Sequence, residues 1–514
     1  MTRWISPSTH ARSLILAPLG CLAAVVFSCS PAGHDSTVTQ GAAAAASTGA
    51  TSSSTGGASA TPGTGGGKNA QPNLGGTLHS DPSGDGQCEG LECAVPTCAA
   101  GTTTSISGKV FAPNGTLPLY NVAVYVPNEP VEPFTEGISC DRCGSNIKNP
   151  VTAAITDESG SFKLEKAPAG ADIPLVIQVG KWRRQITIPS VAPCVDTPLT
   201  NPDQTRLPKN RMEGDIPRIA ISAGGADAME CLPRRLGISD SEFTTNTGEG
   251  RIHLFTATDN ANAQGVGDLT VKAFAPTLNG GAQLPHSMEL WSSAEALHKY
   301  DIVVLSCEGA AMMDEKPMAA RQALYDYLSQ GGRVFASHWA HVWFSRGPAP
   351  VPTVGEWNSR ANPAEASAAL PATINQTFPK GAALAQWLVN VGASTALGTL
   401  SVVGPRDDIQ AVAPMLAREW ITLDSPTSPE APKVVEYMSF NTPVGAPEEQ
   451  ACGRAVFTGL HVSNSVEDRT AQPPGFPGLC ESSELTAQEK AVAFMLFDLS
   501  SCVQNEDKPP PIPK

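Results

Sequence analysis

The stretch "SHWAHVWF", Ser337 to Phe344, carries two imidazoles at i, i+3. If a helix begins at His338, that spacing puts His338 and His341 on one side, where they can serve as a metal pair. Two ligands do not complete a site, so a third must come from His461, Glu308 or Asp227. Cys307 ends the apolar run "VVLSC", and a thiolate beside an imidazole is a competent nucleophile. The candidate pocket is therefore Cys307, Glu308, His338, His341 and His461, with His338, His341 and His461 as the candidate metal ligands. A plainer reading stands beside it. The imidazoles would bond backbone at a strand end while Trp339 and Trp343 pack at i, i+4, and Cys307 would be an inert thiol or half of a disulfide, for instance with Cys231. Ser337 adjoins His338, but neighbouring strand residues face opposite ways and form no nucleophile–base pair. No cofactor is expected.

These residues need elements to carry them. From about Asp215 apolar strands alternate with amphipathic helices: "IPRIAISAG", then a helical "ADAMECLPRRLG", "DIVVLSCEG", the helix "KPMAARQALYDYLSQGG", and "RVFASH". Later come the helix "GAALAQWLVNVG", the strands "KVVEYMSF" and "GRAVFTGLHV", and the helix "TAQEKAVAFMLFDLSS". Strand–helix–strand alternation predicts a three-layer α/β domain over 215–503 with a mainly parallel sheet. Open parallel sheets bind ligands beyond their strand C-termini, which is where Cys307, His338 and His461 fall.

An all-β unit precedes it. "SISGKVFAPNG", "LYNVAVYVPN", "VTAAITDESGSFKLEKAPAG" and "PLVIQVGKWRRQITIP" are short alternating strands separated by turn residues, the pattern of a β-sandwich. With its cysteine-rich flanks this unit spans 88–210. The order resembles the carboxypeptidase regulatory-like family, a transthyretin-like sandwich: Ser107-Gly108-Lys109-Val110, Val122-Ala123-Val124, Thr156-Asp157, then Gly160-Ser161-Phe162. The resemblance implies a spacer, a stabiliser or a binding surface rather than catalysis.

"YDIVVLSCEG…LYDYLSQGGRVFASHWAH" with the downstream "GRAVFTGLHVS" resembles the class I glutamine amidotransferase-like superfamily, most of all its trehalose-utilisation (ThuA-like) branch. That family places a cysteine nucleophile on a strained G-x-C-x-G elbow after the strand that here reads "GGRVFASH", and a His-x-Glu on a later strand. Here His338 stands at the elbow, and His461 is followed by Val462 and Ser463. The resemblance thus implies a degenerate domain in which glutamine hydrolysis by that mechanism does not run.

The N-terminus addresses the compartment. Arg3 and Arg12 precede "SLILAPLGCLAAVVFSC", an apolar stretch of signal-peptide length, so 1–28 reads as a leader. "VFSC", Val26 to Cys29, resembles the bacterial lipobox, which implies lipid attachment at Cys29 and, with Ser30 next, the outer membrane of a Gram-negative bacterium. Residues 29–87 are rich in Gly, Ser, Ala and Thr, the composition of a disordered tether. The Pro-rich 504–514 reads as a disordered tail. Of 13 cysteines, 11 follow Cys29; in an exported chain most form disulfides, and the odd number leaves at least one unpaired. "CDRC" at Cys140 to Cys143 has no second C-x-x-C, which argues against zinc. A net charge of −15 with no basic stripe excludes a nucleic-acid partner. The expected partners are a membrane, through the lipid, and an envelope protein or glycan. The functional expectation is a surface-anchored exported lipoprotein, a non-catalytic binding or structural protein. The alternative is an enzyme of the amidotransferase-like fold acting on a small polar or sugar-like ligand through a Cys/His/Glu pocket.

Overall fold

A computed structural model describes residues 88–143, 147–258, 270–358, 369–424, 433–462, 475–478, 480 and 484–513. The leader, Cys29 and the tether 29–87 lie outside them. The described residues belong to one compact unit built from several sheets and a smaller number of helices.

Seven strands come first: β1 (Ser105–Lys109), β2 (Ala123–Pro127), β3 (Pro150–Ile155), β4 (Ser161–Glu165), β5 (Gly170–Val179), β6 (Trp182–Val191) and β7 (Asp196–Leu199). They form a three-stranded sheet ordered β4-β1-β7 and a four-stranded sheet ordered β3-β2-β5-β6. Ile106, Phe162 and Leu164 of one sheet and Val124, Leu175 and Ile177 of the other are buried in one core. The turn that carries the chain from β3 in one sheet to β4 in the other is built on Asp157, whose carboxylate accepts the N–H groups of Ser159 and Ser161.

The second module is a ten-stranded sheet. Its strands are β8 (Ile219–Ala223), β9 (Phe243–Thr244), β10 (Ile252–Thr256), β11 (Ile302–Leu305), β12 (Arg333–Ser337), β14 (Leu370–Ile374), β15 (Thr399–Val402), β17 (Arg418–Asp424), β18 (Lys433–Thr442) and β19 (Gly453–Thr458). A separate two-stranded ribbon pairs β13 (Gly355–Trp357) with β16 (Ile409–Val412). The large sheet runs β15-β14-β17-β18-β19-β12-β11-β8-β10-β9. The expected parallel character holds on one side only. The five pairings from β19 to β9 are parallel, and the four from β15 to β19 are antiparallel. For two of these four the connections are short: only eight residues separate β17 from β18 and ten separate β18 from β19, too few for the crossover a parallel neighbour requires. The link from β14 to β15 is longer and carries the helix Pro379–Asn390, yet that pair is antiparallel too.

The strands alternate between two cores. Ile219, Ile221, Val304 and Phe335 face the helix Ala487–Ser500 and the sandwich, whereas Ala220, Val303, Val334 and Ala336 face the helix Met318–Ser329. Thr486 and Glu489 close a capping box on the last helix. The helix expected from Ala226 to Gly237 is shorter than its pattern, covering Cys231–Arg235.

No packing boundary falls near 210–215, because the two modules share a core. Tyr120 stacks on Phe494 at 5.7 Å between centroids, Trp182 meets Phe497 at 5.8 Å, and Trp387 Nε1 donates to the Pro118 carbonyl at 2.9 Å. Five disulfides join Cys88–Cys93, Cys98–Cys194, Cys140–Cys452, Cys143–Cys502 and Cys231–Cys480. The CDRC pair, between β2 and β3, thus makes two separate cross-links, one to the start of the central strand β19 and one to the residues after the last helix. The expectation of a disordered tail from 504 does not hold for its first residues. Glu506 is buried with Arg454 and Asp498, and Lys380 lies 3.5 Å from it, because the buried cations draw the carboxylate inward.

Candidate functional site

Four adjacent parallel strands, β19, β12, β11 and β8, end along one edge of the sheet, and each delivers one residue there. Asp227 follows β8, Cys307 lies just past β11, His338 follows β12, and His461 follows β19. The loop after β8 comes very close to Cys307. A Cβ on Gly224 would fall 2.0 Å from the Cys307 carbonyl oxygen, so only glycine fits there.

The structure brings together three of the five expected residues. Cys307 Sγ lies 3.2 Å from His338 Nδ1, and the His338 and His461 rings stack at 3.9 Å. One ligand atom from each of Cys307, His338 and His461 lies within 4.8 Å of the others. Cys307 is the free cysteine among the described residues, so of the two plainer expectations for it the disulfide, for instance with Cys231, does not hold; Cys231 pairs with Cys480 instead. His338 adopts φ +52°, left-handed backbone that disfavours a residue with a Cβ. That conformation turns its imidazole back over the thiol.

A buried carboxylate braces this arrangement. Asp227 accepts Ser337 Oγ–H at 2.9 Å and the Val462 N–H at 3.1 Å, and Ser337 Oγ in turn accepts the Cys307 N–H at 3.1 Å. One side chain therefore fixes the backbone beside both Cys307 and His461. Ser337 acts as a strut between Asp227 and the Cys307 backbone.

The other two candidates turn elsewhere. Glu308 pairs with the buried Lys316. His341 does begin one helical turn from His338, on a 3₁₀ segment, but its Nδ1 meets Ser345 Oγ at 3.0 Å and its Nε2 lies 3.7 Å from Asp408. Asp408 is held in turn by Arg406, whose guanidinium lies over the Trp339 ring at 4.0 Å.

Burial controls the protonation states. It pushes the Cys307 thiol far up, against the backbone N–H groups of Trp339 and Gly309 that favour the thiolate. Burial also holds His338 well below the usual imidazole range, helped by His461, Arg406 and His341. The pair is therefore a neutral thiol beside a neutral imidazole. Cys307 and His338 are fully buried and His461 is partly exposed, so the cluster faces outward through His461. Two clefts, of about 610 and 400 Å³, lie elsewhere, one by Arg418 and Asn505 and one by Phe134 and Arg183.

No protein-family model matches this chain, and no curated protein matches it. Similar solved structures include a cytoplasmic protein from Salmonella typhimurium, 12% identical, over 56% of this chain and 100% of that one at a TM-score of 0.29. A ThuA-like protein from Bacteroides uniformis is 11% identical over 55% of this chain and 90% of its own at a TM-score of 0.25. An interface mutant of a type II cohesin–X-dockerin complex from Acetivibrio cellulolyticus is 15% identical over 28% and 75%, with a TM-score of 0.14. Likenesses this loose carry no functional conclusion, and the chemistry of the site rests on its own geometry.

Sequence reasoning found Asp227 but did not single out Glu436, Asp407 or Asp408. Glu436 sits inside β18, fully buried, with neither carboxylate oxygen hydrogen-bonded among the described residues. Burial, then Asp408 and Asp407, push its carboxyl well above the usual range, so it keeps its proton. The signal was present in "KVVEYMSF", where an acid interrupts an otherwise apolar central strand, and in the "RDD" of Arg406 to Asp408.

Proposed function

We propose that this protein is a surface-anchored exported lipoprotein whose disulfide-braced head binds a ligand at the strand ends and does not hydrolyse glutamine. The observation that carries the reading is the strained position after β12. In the class I amidotransferase-like family that place belongs to the cysteine nucleophile; here it holds His338 at φ +52°, with the Cys307 thiol enclosed beneath it. Five disulfides support the exported half of the reading, because such bonds persist in oxidising compartments. The lipid would sit on Cys29, in the outer membrane of a Gram-negative bacterium, with an envelope protein or glycan as partner. The test is detergent-phase partitioning of wild type and Cys29→Ala, with fractionation of the envelope. Loss of the detergent-phase protein in the variant is expected, and identical partitioning refutes the anchor.

A second reading is favoured by one distance, the 3.2 Å from Cys307 Sγ to His338 Nδ1. It makes the protein an enzyme with a thiol–imidazole pair acting on a small polar or sugar-like ligand. Alkylation separates the two readings. A catalytic thiolate reacts with iodoacetamide at neutral pH in the native protein, whereas an enclosed neutral thiol reacts only after unfolding.

A further inference from the structure

We infer that Cys307, His338 and His461 form a binding site for one thiophilic d¹⁰ metal ion, Zn(II) or Cu(I). The inference rests on reading the strand ends as a binding site and names the ligand that fits there. A thiolate with two imidazoles is a donor set that soft and borderline ions favour over magnesium or calcium.

The geometry is close to what an ion requires. Metal–sulfur and metal–nitrogen bonds of about 2.3 and 2.0 Å set sulfur and nitrogen about 3.5 Å apart around a tetrahedral ion. Cys307 Sγ and His338 Nδ1 stand at 3.2 Å, and all three donor groups lie within 4.8 Å of one another. The donors sit just past the ends of three neighbouring strands rather than on one loop, so the sheet sets their spacing before any ion arrives.

The surroundings also suit a coordinated thiolate. The backbone N–H groups of Gly309 (3.4 Å) and Trp339 point at the sulfur. Such donors stabilise negative charge on a ligating cysteine. Asp227 and Ser337 fix the backbone of Cys307 and of Val462 beside His461, as outer-shell partners orient metal ligands. Cys307 stays reduced while ten other cysteines among the described residues are oxidised, because it is enclosed and has no second thiol beside it. His461 is the partly exposed member of the three. His341 is left out because Ser345 and Asp408 hold it.

The test uses the full chain purified in detergent, stripped with a chelator and titrated anaerobically. One arm uses Zn(II) and the other Cu(I) delivered from bicinchoninate. One equivalent is expected to bind in at least one arm, and the arm identifies the ion. Cys307→Ser and His461→Gln should each lose 100-fold or more in affinity with circular dichroism unchanged. Ser337→Ala, which removes only the strut, should lose about 10–100-fold. Cobalt should give an intense thiolate-to-metal charge-transfer band that Cys307→Ser abolishes. A readout on wild type alone guards against a variant that fails to fold: one equivalent of metal should slow alkylation of Cys307 in mild urea. No bound equivalent, unchanged binding in Cys307→Ser, or unchanged alkylation overturns the inference. A head that binds no metal yet still partitions into detergent leaves the anchored-lipoprotein reading standing and sinks this one.

Discussion

Lowering the pH from 7 to 4 should cost this protein about 3 kcal/mol through a single imidazole. His253 lies in β10 and is 4% exposed. Its Nε2 is 3.0 Å from the Gly250 carbonyl and its Nδ1 is 3.0 Å from Tyr300 Oη. A carbonyl only accepts, so Nε2 carries the proton and Nδ1 accepts the tyrosine hydroxyl, which is the neutral tautomer. Burial first, then the Arg218 charge, hold the imidazole down to about 4. The unfolded chain titrates this group near 6.5. Between those values the unfolded state binds more protons than the native one. The stabilisation is therefore complete above 6.5 and is lost as pH falls toward 4, by about 3 kcal/mol at 1.36 kcal/mol per unit. Carboxylates titrate over part of the same window, so the measurement must be a difference. His253→Gln keeps one donor and one acceptor but does not ionise. Urea midpoints followed by tryptophan fluorescence should show the wild-type advantage at pH 7 shrinking by about 3 kcal/mol at pH 4. Parallel pH profiles for the two proteins would refute the reasoning.

Glu436→Gln should raise the melting temperature at pH 7 to 8. The raised carboxyl costs stability as pH climbs above the unfolded carboxylate range, and the gain should vanish near pH 4; equal shifts at both ends of a calorimetric series would sink the idea. Arg454→Ala strips the buried Asp498 and Glu506 of their guanidinium and should destabilise by about 3–5 kcal/mol in thermal unfolding, with a loss under about 1 kcal/mol counting against it. His338→Gln keeps hydrogen-bonding capacity and should lose only about 1 kcal/mol, read from the same denaturation curves; collapse of the fold would mean the imidazole carries more packing than its neighbours suggest.

The strands that carry the site were legible in the sequence because their patterns are local. "DIVVLSC" and "GRVFASH" are bounded apolar runs, and both are strands where expected. The antiparallel half of the sheet was harder to read, since strand composition does not set direction. Strand order already put Cys307, His338 and His461 at neighbouring strand ends, but that His341 stays out of the cluster was not legible. His338 and His341 share one turn, and a left-handed φ together with the distant Asp408 sends them to different partners. The pairing of cysteines was equally out of reach, because Cys143 and Cys502 meet only once both modules are assembled.

The cross-links constrain how the protein is made. In a chain delivered from its N-terminus, thiols that oxidise in order of arrival would join Cys98 to Cys140, Cys143 to Cys194, Cys231 to Cys307 and Cys452 to Cys480. Cys88–Cys93 alone would be native. Cys140 and Cys143 must wait for partners 312 and 359 residues away, and Cys307 must escape capture altogether. Maturation in good yield therefore demands either oxidation held back until the last strand arrives or thiol–disulfide reshuffling afterwards, on a timescale of seconds to hours that the oxidant and isomerase set. A host that oxidises thiols without an isomerase should accumulate reduction-sensitive isomers in which Cys307 is consumed.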